Sequence, residues 1–169
     1  WAERRRADEF AVDGEKLKAY FQLDRVVRDG VFHAAKKLYG IDVVPREDLA
    51  GYAPGVTVWE VRDGGADGGA VAGTEAGADT GGGAGAESRD SGIGLLLTDV
   101  FSRPTKRGGA WMSSFVDQSH LLGTKPVVVN VLNIAEPAEG EPALLTLDEV
   151  TTLFHEFGHA LHGLLSDVR

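Results

Sequence analysis

The sequence predicts helices towards both ends of the chain and a small β-sheet between them, on three observations. Apolar residues recur mostly at spacings of three and four from Leu17 to Tyr39 and again from Leu147 to Leu164, which is the helical period. Residues 56–61 and 93–100 are short, β-prone runs of strand length. Pro126 to Ile134 contains Val127-Val128-Val129-Asn130-Val131-Leu132, whose β-branched residues favour a strand buried on at least one face.

Each element has its own local logic. The first helical stretch is marked by Leu17, Phe21, Val27, Val31, Ala34, Ala35 and Leu38, and Gly40 supplies its stop. Gly30 inside it predicts a kink or two shorter helices. Residues 43–54, with two prolines, read as an irregular connection. In the first strand Thr57, Trp59 and Val61 share one face and Val56, Val58 and Glu60 the other. It is expected to form a β-hairpin with residues 93–100, the turn being replaced by a Gly/Ala/Asp excursion over residues 64–92. That excursion holds 11 of the chain's 23 Gly and 7 Ala, with Val71 its one larger apolar residue. Such a composition cannot offset its own ordering entropy, so a disordered insertion is expected. Loop closure costs only about 0.6 kcal/mol per doubling of length, so the hairpin tolerates it. Residues 102–109 are polar and turn-like, and 136–142 form a loop. Thr146 and Glu149 then make a Thr-x-x-Glu capping box, opening a helix that continues through Leu147, Val150, Leu153, Phe154, Phe157, Leu161 and Leu164.

Composition removes several functions. The chain has 169 residues, no Cys and a formal net charge of −9. Without Cys there is no thiolate metal site or Cys nucleophile, so a metal must be held by His and carboxylates. The acidic balance offers a phosphate backbone no long-range attraction, which argues against a nucleic-acid partner. No apolar run approaches the roughly 20 residues that span a bilayer, and none is a membrane segment. Trp1 to Arg6 contains no apolar signal-peptide core. A cytoplasmic location is the working expectation.

The chemistry concentrates on the last helix, in His155-Glu156-Phe157-Gly158-His159, an H-E-x-x-H motif. At about 100° per residue, positions four apart lie one turn above each other, so two imidazoles can reach one ion from the same side. A catalytic Zn²⁺ takes three protein ligands and keeps a fourth position for water. Glu156 beside the first His is placed to accept that water's proton and return it to the leaving amine. By chance alone two His and a Glu at these offsets should arise on the order of once in a few hundred chains of this length. His162 returns to within about 20° of His155 in azimuth, yet lies about 10.5 Å further along the axis, too far for all three rings to share one ion on a straight helix. The longer motif H-E-x-x-H-x-x-G-x-x-H is contradicted by His162 and Leu165 at its Gly and last His positions.

Weaker candidates surround it. Residues 81–86 match G-x-G-x-x-[G/A] formally, but no strand precedes them and no helix follows. Lys106-Arg107-Gly108-Gly109 reads as a solvated turn rather than an anion site. Ser113-Ser114 with Asp117 and His120 supplies the residue types of a hydrolase triad without its context.

The run from Leu144 to His162, LLTLDEVTTLFHEFGHALH, resembles the zinc-site helix of the thimet oligopeptidase family of metallopeptidases, peptidase family M3, which includes oligopeptidase A and the bacterial peptidyl-dipeptidases. The likeness extends through Asp99, Arg103, Lys106-Arg107-Gly108-Gly109-Ala110-Trp111, Pro126-Val127-Val128, Asn133, Tyr20-Phe21 and Leu38-Tyr39-Gly40-Ile41. It implies a mainly α fold with a small β-sheet near the metal, this chain being part of a zincin-like catalytic domain around a channel that admits short peptides. It implies His155 and His159 as zinc ligands and Glu156 as general base. The family's third ligand, a Glu on a following helix, is expected beyond Arg169, so the remainder of a parent chain is needed to complete the site. The 169 residues alone are therefore expected to be inactive. Two other readings stand beside this one: a different H-E-x-x-H hydrolase, and a non-catalytic remnant keeping the motif by descent.

Overall fold

A computed structural model describes residues 14–64 and 92–168. The expected disordered insertion falls almost wholly outside these described residues. Helix α1 (Gly14–Lys18) is followed by α2 (Leu23–Arg25), a π-helical segment (Val26–Phe32) and α3 (His33–Tyr39). Strands β1 (Ile41–Pro45), β2 (Thr57–Asp63), β3 (Gly92–Phe101), β4 (Trp111–Val116) and β5 (Val127–Ile134) come next, and α4 (Leu147–Leu164) follows them.

The five strands form one mixed sheet in the order β1-β2-β3-β5-β4. β1, β2 and β3 are antiparallel neighbours, β3 and β5 run parallel, and β4 returns antiparallel on the outside of β5. The expected hairpin is present, with Thr57 opposite Thr98 and Trp59 opposite Leu96. The expected mainly α class is corrected: helix and strand each account for 31% of the described residues. The mainly α class came from the resemblance, whereas these residues build a five-stranded sheet where three strands were expected. Both outer strands escaped the sequence reading. β1 overlaps the start of the expected irregular connection at residues 43–45 and ends on Pro45, tolerable because β1 is an edge among the described strands. β4 is polar in its middle, Ser113-Ser114, and exposed along most of its length, so it shows no apolar run.

Helices cover one face of the sheet. Trp59, Val61, Leu96, Val100, Val128, Leu132 and Ile134 meet Leu23, Val31, Phe32, Leu153, Phe157, Ala160 and Leu164 from the helices. The Phe32 ring stands edge-on to Trp59 with centroids 5.0 Å apart and lies 5.8 Å from Phe157, a geometry aromatic pairs prefer. The opposite face carries a smaller cluster of Val58, Leu97, Val129 and Val131. β5 is therefore buried on both faces.

Gly30 does not divide the first long helix. The chain stays helical from Leu23 to Tyr39, and Gly30 sits in the π segment. A Cβ there would stand 3.3 Å from the Phe154 ring, so the missing side chain lets this helix approach α4. Gly40 ends the helix as expected, in the left-handed region at φ 68. The capping box is complete: Glu149 N–H donates to Thr146 Oγ1 at 3.2 Å, and Thr146 N–H to Glu149 Oε2 at 2.7 Å. Just before it, Leu145 N–H donates to Phe21 O and Leu23 N–H to Ala143 O, pinning the starts of α2 and α4 together.

Candidate active site

The buried stripe of α4 comprises Leu153, Glu156, Phe157, Ala160 and Leu164. His155 and His159 stand on its exposed side. Helical spacing brings their rings to a centroid distance of 4.7 Å with planes 84° apart, and their Nε2 atoms to 3.1 Å. Two nitrogens bound tetrahedrally at about 2.0–2.1 Å from one ion would be about 3.3 Å apart, so the pair fits such an ion with little adjustment. Among the described residues no third His, Asp, Glu or Cys joins them.

Glu156 is 8% exposed and faces an open groove of about 610 Å³. Glu156, His159, His162, Gly163 and Ser166 form one wall, and Ala110, Trp111 and Met112 the other. Among the described residues no side chain hydrogen-bonds the Glu156 carboxylate, which leaves its oxygens available to a molecule in the groove. His162 thus lies along the same groove, one turn beyond His159, and is exposed. The wall opposite the motif is the start of β4, which sequence reasoning missed. Its one local signal is the Gly108-Gly109 pair followed by Trp111, Phe115 and Val116, turn chemistry leading into β-prone residues.

The approach to that wall is anchored by charge. Asp99 is 3% exposed, and its carboxylate accepts from both terminal nitrogens of Arg103 at 2.7 and 2.8 Å, from Lys106 Nζ at 2.9 Å and from Tyr52 Oη at 2.5 Å. Burial pushes its pKa up, but the hydrogen bonds from Arg103, Tyr52 and Lys106 prevail and hold it down at about 2. Its neighbours shift in different directions. Burial and the Asp99 carboxylate push Tyr52 up to about 12, while burial draws Lys106 below the ordinary lysine value.

The other candidates separate. Ser114 Oγ donates to Asp117 Oδ1 at 2.5 Å, and His120 Nε2 pairs with Asp167 Oδ1 at 2.7 Å, so His120 is turned away from the serine and no triad forms. Lys106 is committed to Asp99 and Phe101, which removes it from any anion site. The glycine-rich match at residues 81–86 lies outside the described residues.

An H-E-x-x-H on one helix, with both histidines on its exposed side, is a spacing that metalloproteases use. The chain belongs to peptidase family M3, matching it over residues 1–73 and 86–169. It is 44% identical to the dipeptidyl carboxypeptidase of Escherichia coli over 171 residues and 43% identical to that of Salmonella typhimurium over 166, covering 100% and 98% of this chain. Identity to the oligopeptidase A of Escherichia coli is 33% over 171 residues, 99% of the chain. These matches take in 21 to 22% of the relatives, so the chain spans about a fifth of their length.

Proposed function

We propose that this chain is the zinc-motif segment of an oligopeptidase that hydrolyses short peptides, with His155 and His159 as metal ligands and Glu156 as general base. The observation that carries it is the pair of Nε2 atoms 3.1 Å apart beside a groove-facing Glu156. Relatives named dipeptidyl carboxypeptidase and oligopeptidase A support the substrate class.

His155 and His159 would hold the zinc ion, which would supply Lewis acidity towards a carbonyl and water. The chain's own residues do the rest. The Glu156 carboxylate takes a proton from water in the groove and delivers it to the amine nitrogen as the peptide bond breaks. β4 offers a second element of recognition. Among the described residues it is an edge strand with no second strand neighbour, and an extended peptide in the groove can add to it as a further strand. Such pairing reads the main chain and favours flexible, extended substrates over folded ones.

Two imidazoles fall short of the three ligands of a catalytic zinc site, which supports the reading that the 169 residues alone do not turn over. A cytoplasmic location belongs to the same proposal. Assaying the full-length protein and the isolated chain on a quenched peptide with added zinc tests both parts. The full-length protein should hydrolyse it and the isolated chain should not. Turnover by the isolated chain, lost in Glu156→Gln, would refute the second part; a full-length protein without turnover would refute the first.

A further inference from the structure

Among the described residues β4 has one strand neighbour and is exposed over most of its length, yet its first residues make a wall of the groove. An edge strand held so lightly frays, and ordering it on each encounter would cost binding free energy. What precedes it is built to prevent this. The chain leaves β3 and passes β5 to reach the far edge of the sheet, and along this crossing it is fastened twice.

The first fastening is Lys106. Its side chain is 3% exposed, and Nζ donates to Asp99 O at 2.8 Å, to Asp99 Oδ1 at 2.9 Å and to Phe101 O at 2.8 Å. All three ammonium hydrogens are thereby used. The second is Asn133, on β5. Its Nδ2 donates to Arg107 O at 2.8 Å and to Gly109 O at 2.7 Å. It thus continues the β4–β5 ladder with a side chain just where backbone pairing ends, at Trp111 opposite Val131. Gly109, at φ 98, supplies the turn that brings both carbonyls to one amide. Beyond it the Arg107 guanidinium lies 4.9 Å over the Trp111 ring.

The Lys106 ammonium is buried, and burial of a charge is not needed for stability alone. A buried ammonium carries a desolvation cost that an apolar side chain of similar volume avoids, and in some proteins buried ionic groups specify a local geometry. Here the geometry specified is the backbone immediately before the groove wall. We propose that Asn133 and Lys106 are positioning residues for peptide binding: they fix Ala110 to Met112 against the Glu156–His159 wall, so that the edge strand is ordered before the substrate arrives.

This rests on the peptidase reading, and the test separates the two. In the full-length protein, Asn133→Asp keeps the shape and removes the two N–H donors. It should raise KM for a peptide of six or more residues about ten-fold, with kcat within about two-fold and zinc content unchanged. Hydrogen exchange at Ala110 to Met112 should quicken about ten-fold while α4 amides keep their protection. Lys106→Arg should raise KM less than Lys106→Met does. Unchanged KM and exchange in Asn133→Asp, with wild-type turnover intact, would overturn this inference alone. A fall in kcat and thermal stability without a rise in KM would do the same, by showing a structural role. Wild-type protein that hydrolyses no peptide would overturn the peptidase reading and this inference with it.

Discussion

His155 and His159 bring their Nε2 atoms to 3.1 Å on the exposed side of α4, with ring planes 84° apart. Both lone pairs are needed by a metal, so binding requires two neutral imidazoles and releases any proton they carry. The full-length protein should take up one zinc ion per chain, read by competition with a chromophoric chelator. His155→Ala and His159→Ala should each abolish uptake, and His162→Ala should leave it unchanged because His162 lies about 10.5 Å along the helix from His155. Equal loss in all three variants would show the ligand assignment to be wrong.

Glu156 has a different signature. Its carboxylate faces the groove without a side-chain partner among the described residues, and it touches neither imidazole through a hydrogen bond. Glu156→Gln in the full-length protein should lower kcat by about 10²–10⁴, the range of general acid–base contributions. Zinc content and KM should stay near wild type, since the shape of the wall is preserved. Loss of zinc in parallel with kcat would make Glu156 a structural support for the ligands instead.

These two expectations draw on the part of the molecule most legible in the sequence. Glu149 three residues after Thr146, and two His four apart, express local helix geometry, which needs no knowledge of the rest of the fold. The Trp59 and Leu96 strands were legible for a similar reason, since burial on the core face imprints an apolar pattern. β1 and β4 were not. An edge strand has one partner and one unpaired side, so its sequence is free to carry Pro45 or Ser113-Ser114, and only the pairing of distant residues, such as Met112 with Asn130, reveals it. The consequence for the site is direct, because the wall facing Glu156 is the strand without an apolar signature. The π segment was illegible for another reason: Gly30 is explained by Phe154, more than a hundred residues away in the chain.

The Asp99 cluster sets an acid limit. A folded-state pKa of about 2, against an ordinary value of 3.8, means that the ionised carboxylate stabilises the fold. This contribution is complete above the unfolded value and is lost as pH falls through about 2, amounting to roughly 2 kcal/mol. Tyr52 acts at the other extreme: with its folded pKa raised from 10.0 to about 12, its contribution is complete below pH 10.0 and lost as pH rises through about 12. Asp99→Asn should therefore lower the denaturation midpoint at pH 7 and narrow its difference from wild type at pH 2. A difference that persists at pH 2 would place the effect in packing rather than charge.

Gly163 ties the helix to the groove. A Cβ there would come within 2.8 Å of Met112 Cε and 3.2 Å of Val128 Cγ1. The first contact is the mobile end of a long side chain, which can swing away; the second lies on a buried strand and yields only a few tenths of an ångström. Replacing Gly by Ala within a helix also gains about 1 kcal/mol of propensity, which offsets much of the crowding. Gly163→Ala should therefore leave the thermal midpoint close to wild type and push Met112 into the groove, where it lines the wall opposite His159. In the full-length protein the cost should appear in peptide binding, as a KM raised several-fold at a kcat close to wild type. Restoring KM with the double variant Gly163→Ala, Met112→Ala would trace the effect to Met112. A large drop in thermal stability with unchanged KM would instead locate the strain at Val128, inside the sheet.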